Sequence, residues 1–594
     1  MSEANQMADP RTAGGVDLIR LELIKNALDA IVDEMAIALM RSAYSTNIKT
    51  AMDMSCALCD AHGRLIAQGL TLPLHLGSIP DAIAEVIRKF EGRILPGDAY
   101  LLNDPYQGGT HLPDFYLFKP IHTDGVLVGW SVSIGHQTDV GGMTPGGNGS
   151  DATEIYQEGL RIPPIKLYDQ GQPVEAIFDL LEKNVRVSVQ VLGDVRAQAA
   201  ACLAGERGYL ALVARYGVAE LSAASTALLD QAERLARLAI SAMPDGVYTF
   251  TDHIDEDGLD PEPIPIVVTI TVMGDRMLVD FEGTSKQVRG AINSPIPFTK
   301  SAVYACVRHL IGGDPPNNEG YFRPITVRAP VGTLVNPVLP ASVAARGLTG
   351  FRVANAVFGA LAQIAPDRVF ACEAGGDTGV SYGGYHPDGR PFVFIEFLYG
   401  SWGGRPTRDG VDGCSSSVVN FANNPIEIIE AEQPLVIEQY GYVADTGGAG
   451  EYRGGLALVR DYRFEIDSAT FQLRTDRRRF TPYGLAGGQD GTPSTNILDP
   501  HGQAQELPTK TRLTVHRGDV LRHRVAGAGG WGDPWTRDPA MVLHDVREEK
   551  LTVGYAEREY GVVIDPGTLA LDVPATDRLR AAGDPRPATR DHLT

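Results

Sequence analysis

A tract of helical pattern without a single glycine, Val218 to Met243, lies inside a chain of 594 residues that carries 66 glycines. Glycine weakens helix and strand interiors and concentrates where the backbone must turn. The tract therefore closes a helical block, Ala176 to Ala242, set between regions that turn every few residues. A second long helix opens the chain. From Asp17 to Ser45, Leu21, Ile24, Leu28, Ile31, Met35 and Leu39 recur at helical spacing, with Glu22, Lys25, Asp29 and Asp33 on the other side. Asp17 is placed to cap it.

Elsewhere the apolar runs are strand-length and bounded by Gly, Pro and Asp: Cys56 to Asp60, Leu65 to Gln68, Ala99 to Leu102, Val126 to Ile134, Ile266 to Val272 and Met277 to Phe281. The expected fold class is α+β, multi-lobed, with mixed helix and sheet and a glycine-rich, β-rich C-terminal lobe. The composition shifts divide it into residues 1–175, a helical segment 176–243, a mixed α/β part 244–420, a β-rich lobe 421–570 and a tail 571–594. A chain this long exceeds one ordinary core, so several lobes are expected.

With 52 basic against 74 acidic residues the net charge is −22. Such a field repels nucleic acid and anionic membrane, and neither is expected as a partner. No apolar run approaches the roughly 20 residues of a spanning helix. Met1 to Gly15 is polar and lacks the apolar core of a secretory leader, so a cytoplasmic location is expected. Six cysteines in so long a chain do not form a disulfide framework. The isolated pair Cys56 and Cys59 reads as small buried side chains.

Two windows carry the chemistry. The first is Asn103-Asp-Pro-Tyr-Gln-Gly-Gly-Thr-His-Leu-Pro-Asp114; the second is Gly135-His-Gln-Thr-Asp-Val-Gly-Gly-Met-Thr-Pro-Gly146. They put His111, Asp114, His136 and Asp139 at turns, with His136 delivered to the end of a strand. Imidazole with carboxylate is a ligand set for zinc, manganese or iron. Spacing alone also admits hydrogen-bonded structural histidines. No Gly-x-x-x-x-Gly-Lys-Ser/Thr loop is present. Ser415 to Ser417 lack the glycine of a nucleophile turn. Arg474 and Arg477 to Arg479 form a basic cluster that reads as solvated surface, with phosphate contact as the minority reading.

The first window resembles the signature of the hydantoinase B/oxoprolinase family, which includes large subunits of acetone- and acetophenone-type carboxylases and of ATP-dependent lactamases. The resemblance continues in Ile48-Lys-Thr-Ala-Met-Asp-Met-Ser, Pro73-Leu-His-Leu-Gly-Ser, Ile155-Tyr-Gln-Glu-Gly-Leu-Arg-Ile-Pro-Pro, Gly447-Gly-Ala-Gly-Glu-Tyr-Arg-Gly-Gly and Gly529-Gly-Trp-Gly-Asp-Pro. It implies one divalent metal (Zn, Mn or Fe) held by Asp53, His111, Asp114 and His136. Family members often carry a second histidine where this chain has Gln137, so the resemblance leaves open which position faces the metal; spacing from His111 favours His136. Asp139 and Glu158 are the spare carboxylates for proton transfer.

The resemblance further implies a hydantoinase A-type partner that binds ATP and phosphorylates a small carbonyl substrate, in a hetero-oligomer. The activated species would then react on this chain, through hydrolysis of a cyclic amide (hydantoin, 5-oxoproline or lactam) or, alternatively, through carboxylation of a ketone.

Overall fold

The computed structural model describes residues 12–13, 16–69, 72–313, 315–376 and 378–584. Most of the polar opening segment and the last ten residues of the expected tail lie outside them.

The first helix, Leu18–Ser42, starts where Asp17 accepts from the Ile19 and Arg20 amides. The helical block resolves into Glu175–Asn184, Ser188–Tyr216 and Val218–Ser241, broken at Gly217, whose φ of 80° no helix tolerates. The first helix buries Leu28, Ile31, Val32 and Met35 in a core shared with Ala197, Ala201 and Tyr209 of Ser188–Tyr216. The two helices approach closely because Gly205 stands where any β-carbon would strike the Met35 sulfur.

These helices cover one face of a seven-stranded sheet ordered Leu65–Gln68, Met54–Asp60, Val126–His136, Asp114–Thr123, Ala99–Leu102, Ile165–Asp169, Gln172–Pro173. Helix Ile79–Phe90 covers the other face with Ile79, Ile83 and Val86. Both faces are thus buried, which explains why Met54–Asp60 is buried throughout rather than alternating. Cys56 joins one core and Cys59 the other, and both are free thiols.

A four-stranded sheet, Gly246–Ile254, Ile264–Met273, Arg276–Asp280 and Ile325–Arg328, packs on helix Arg346–Ile364. All residues of that helix except Gln363 are buried. Strands from both sides of residue 420 share a further sheet, ordered Pro391–Phe397, Thr378–Tyr385, Ala469–Thr475, Lys510–Val515. The mixed helix and sheet agree with the expected α+β class. No helix among the described residues is long and apolar enough to cross a membrane.

The glycine-rich segments do not merely turn. They pack backbone on backbone: the Gly448 amide donates to the Ala528 carbonyl at 2.8 Å, Gly454 to Gly448 at 2.9 Å, Gly529 to Cys372 at 2.8 Å and Gly530 to Gln489 at 2.8 Å. A β-carbon at Gly527 would collide with the Thr446 carbonyl.

The basic cluster expected at the surface is interior in part, with Arg478 half-buried and Arg479 exposed. Arg474 and Arg477 are buried. Arg477 pairs with Asp252 at 2.9 Å, the Arg478 and Arg479 amides donate to Asp255, and Arg474 donates to the Asn148 carbonyl. A net-acidic chain can place arginines inside where carboxylates and carbonyls meet them. Ser416 and Ser417 hold Glu373 through a hydroxyl and an amide, a turn rather than a nucleophile.

Candidate metal centre

Three strand ends of the seven-stranded sheet meet at one edge. Asp114 begins its strand directly opposite His136, which ends the next. Met54 opens the neighbouring strand opposite Gly135, so Asp53 lies one residue outside the sheet at the same edge. The His136 amide donates to the Asp53 carbonyl at 3.1 Å, and the Asp114 amide to the His111 carbonyl at 3.1 Å. These bonds tie the turn that carries His111 to the strand ends. His75 arrives from the short helix Pro73–Leu76.

The side chains converge. His111 Nε2 lies 3.3 Å from Asp114 Oδ1, and His75 Nε2 lies 3.5 Å from the same oxygen and 4.0 Å from Asp53 Oδ1. Ligand atoms of His111, Asp114 and His136 fall within 4.8 Å of one another, as do those of Asp53, His75 and Asp114. All five residues are buried. Yet Asp53 Oδ1, His75 Nε2, His111 Nε2, Asp114 Oδ1 and both His136 nitrogens have no hydrogen-bond partner among the described residues. Buried polar atoms are rarely left so, and here they face one another.

The remaining atoms are held. His111 Nδ1 meets the Ala344 carbonyl at 2.9 Å, which fixes the proton on Nδ1 and leaves Nε2 a lone pair. Asp114 Oδ2 accepts from Arg346 at 2.6 Å and from Thr110. The Arg346 guanidinium lies 4.2 Å over the Phe298 ring.

Burial, with the nearby Arg346 charge, brings the His111 imidazole down to about 4, and burial beside His111 holds His136 well below its ordinary value. Both imidazoles are therefore neutral near pH 7, the form that coordinates a cation. Burial opposes ionisation of Asp114, but the Arg346 guanidinium against its outer oxygen favours the charged form, and the carboxyl is held well below the usual range. Asp53 is pushed up by burial and by the Asp114 charge. Two buried carboxylates in mutual repulsion form a site that a positive ion would relieve. The donor set fits a divalent transition metal.

Asp53, His111, Asp114 and His136 lie together at this edge, in two groups that share Asp114. Gln137, just past the strand end, donates to the Gln198 side chain at 3.1 Å, whereas His136 is the residue whose ring nitrogens lie with the cluster. Asp139 stands apart from it. Its oxygens accept from the Gly141, Gly146 and Arg186 amides and the Arg186 guanidinium, anchoring the turn after His136.

Glu158 accepts from the Ser342 hydroxyl at 2.5 Å and the Val343 amide at 2.6 Å. It thereby grips the loop whose Ala344 carbonyl orients His111. Two members of the cluster escape a reading of the sequence. His75 lies in the Pro73-Leu-His-Leu-Gly-Ser segment that carries part of the resemblance, but nothing in its spacing links it to the other ligands. Arg346 carries no local motif at all.

The geometry gathers a candidate metal-ligand set at strand ends, and comparison supplies the family of the chain. The chain belongs to the hydantoinase B/oxoprolinase family, whose model matches residues 17–534. It is 34% identical over 584 residues to the putative B component of a D-/L-hydantoinase from a Pseudomonas species, covering 95% of this chain and 98% of that protein. It is 35% identical over 584 residues to the beta chain of the Pseudomonas jessenii caprolactamase, covering 96% and 99%. The 5-oxoprolinase of Saccharomyces cerevisiae is 30% identical over 87% of this chain, which spans 42% of that longer protein.

Among solved structures, the ATP-dependent caprolactamase from Pseudomonas jessenii matches with a TM-score of 0.89 at 34% identity, over 95% of this chain and 100% of the other. A nucleotide-free acetone carboxylase matches with a TM-score of 0.88 at 20% identity, over 95% and 82%, a likeness of fold.

Proposed function

We propose that this chain is the metal-bearing catalytic subunit of an ATP-dependent cyclic amide hydrolase, acting on a substrate activated by a hydantoinase A-type partner. The observation that carries the reading is the set of six unpartnered, buried ligand atoms on Asp53, His75, His111, Asp114 and His136. Relatives at 34% and 35% identity are named as single components of a hydantoinase and a caprolactamase that each have more than one. The absence of a phosphate-binding loop in this sequence agrees with a partner that handles ATP.

Asp53, His111, Asp114 and His136, joined by His75, would hold one zinc, manganese or iron ion. Such an ion supplies Lewis acidity, polarising a carbonyl and favouring deprotonation of water. The protein contributes the rest. Ala344 sets the His111 tautomer, and Arg346 holds the outer oxygen of Asp114 so that the inner one faces the cluster. Burial brings the Glu158 carboxyl up to about 8, against the pull of Ser342 and Val343, so it retains a proton near neutral pH. Its second oxygen has no partner among the described residues. Of the two carboxylates considered for proton transfer, Glu158 is the better suited; Asp139 is committed to its turn.

Ketone carboxylation would call on the same ligands, but its support is a fold likeness at 20% identity, whereas relatives above 30% carry amide-opening names. The test is co-expression with the A-type partner, with ATP hydrolysis measured against hydantoin, 5-oxoproline, caprolactam and acetone, each with and without bicarbonate. Stimulation by a cyclic amide independent of bicarbonate supports the reading; stimulation only by acetone with bicarbonate overturns it.

A further inference from the structure

Asp53 enters the ligand cluster from a strained turn. Met52, just before it, has a φ of 60°, a region that residues with a β-carbon occupy at a cost. The Met54 amide donates back to the Met52 carbonyl at 2.8 Å, closing a three-residue turn on Asp53. Such a conformation persists only where the surroundings fix it from several sides. One side is local: the Asp53 amide donates to the Asn47 carbonyl at 2.8 Å. The other comes from far along the chain. The Ala422 amide donates to the Ala51 carbonyl at 3.2 Å. The Thr50 hydroxyl, shared with the Thr46 carbonyl at 2.8 Å, reaches the Asn424 side-chain oxygen at 2.6 Å.

Residues 422–424 are themselves anchored in the interior. The Asn424 amide donates to Glu396 Oε1 at 2.9 Å, and Arg460 donates to the other oxygen of the same carboxylate. Both members of that ion pair are out of water, and the guanidinium lies 4.1 Å from the Tyr440 ring centroid. Asn423 adds a second hold. Its side-chain oxygen accepts from the Tyr399 amide at 2.9 Å, and its side-chain nitrogen donates to the Tyr440 hydroxyl at 2.9 Å. Glu396 lies on Pro391–Phe397 and Arg460 on Ala457–Phe464, strands of two different sheets. The brace on the Asp53 turn draws on both.

Building on the metal reading above, we infer that Thr50 and Asn424 are positioning residues for Asp53: their hydrogen bond, beside the Ala422–Ala51 backbone contact, holds the turn at Met52 so that the Asp53 carboxylate stays with the other ligands. The dependence is one-sided. Asp114 and His136 are carried by paired strand ends, and His111 by the turn bonded to them. Loosening residues 422–424 therefore shifts the Asp53 oxygen and leaves those three in place. The bound ion would lose one ligand's geometry rather than its whole site.

The test reads geometry as well as affinity. The chelator-treated full chain is titrated with Co(II), and its visible absorption, which reports ligand number and arrangement, is recorded. Thr50→Val keeps the shape of the side chain and removes the hydroxyl. It is expected to bind Co(II) about tenfold more weakly, the low end of what losing an outer partner costs. Its absorption band should be altered and its far-ultraviolet circular dichroism unchanged. Thr50→Ser restores the hydroxyl and should restore band and affinity together. Asn424→Ala removes the acceptor, should reproduce Thr50→Val, and gives the same test should the valine variant misfold. The double variant should lose no more than either single one, because one bond is shared. Losses that add, or a band and affinity unchanged in both single variants, overturn this inference alone. No Co(II) uptake by the unaltered chain overturns it together with the metal reading on which it rests.

Discussion

Arg346 Nη2 lies 2.6 Å from Asp114 Oδ2, and both side chains are almost wholly buried. The pair neutralises one carboxylate from outside while leaving its second oxygen for the cluster. Removing the arginine alone strands a buried charge, which typically costs about 3–5 kcal/mol. Arg346→Met is therefore expected to destabilise the chelator-treated protein by that order and the metal-loaded protein by less, since a bound cation would meet the same carboxylate. Urea unfolding with and without chelator checks it; equal losses in both states would contradict the pairing argument.

The ligand set predicts graded metal loss. His111→Ala and His136→Ala should lower metal from stoichiometric to trace with the far-ultraviolet circular dichroism unchanged. His75→Ala should weaken affinity by more than the roughly 10–100-fold that loss of an outer partner costs. Elemental analysis after dialysis against graded chelator reads this directly. Full retention in His75→Ala would reduce the set to the four residues that resemblance supplied.

Glu158 gives a pH dependence with a defined sign. Its folded value is up at about 8, chiefly through burial, against about 4.5 when unfolded. Between those values the folded state carries the extra proton, so this group makes stability fall as pH rises through the window. Glu158→Gln mimics the protonated acid and should remove that slope. Relative to the unaltered protein, the variant should gain stability from pH 5 to pH 8.5, on the order of a few kcal/mol at most. Parallel denaturation curves across that range would rule out the raised value.

Gly205 and Met35 set the crossing of two long helices. Gly205→Ala is expected to cost about 1–3 kcal/mol by overpacking. Met35→Ala in the same chain should recover part of it, because the Met35 sulfur is one of the two atoms an added β-carbon would strike. Additive losses in the double variant would place the strain elsewhere, at Ser131, the other close neighbour.

The nucleotide step should partition cleanly. The purified chain is expected to show no ATP hydrolysis with any cyclic amide, and activity should appear on adding the A-type partner. Substrate-stimulated hydrolysis by this chain alone would contradict the division of labour.

The helices were legible because their signals are local: Asp17 capping an apolar stripe at helical spacing, and a tract without glycine. His111, Asp114 and His136 were legible as candidates because strand ends and turns declare themselves in sequence. Asp53 needed the family resemblance, since the contact that places it, a pairing of Met54 with Gly135, spans the intervening chain. His75 and Arg346 come from two further segments that only tertiary packing brings to the same edge. Buried Arg477 misled for a related reason: its carboxylate partner Asp252 lies more than two hundred positions away.

The backbone-on-backbone packing around Gly448, Gly454, Gly527 and Gly530 has a dynamic consequence. With few side chains between the strands, burial of apolar surface contributes little there, and order depends on amide-to-carbonyl bonds that each presuppose the neighbouring segment in place. Such a region should open all at once or not at all. In hydrogen exchange, the amides of Gly448, Gly454, Gly529 and Gly530 should share one opening free energy and one denaturant sensitivity, a single cooperative unit drawn from segments far apart in the chain.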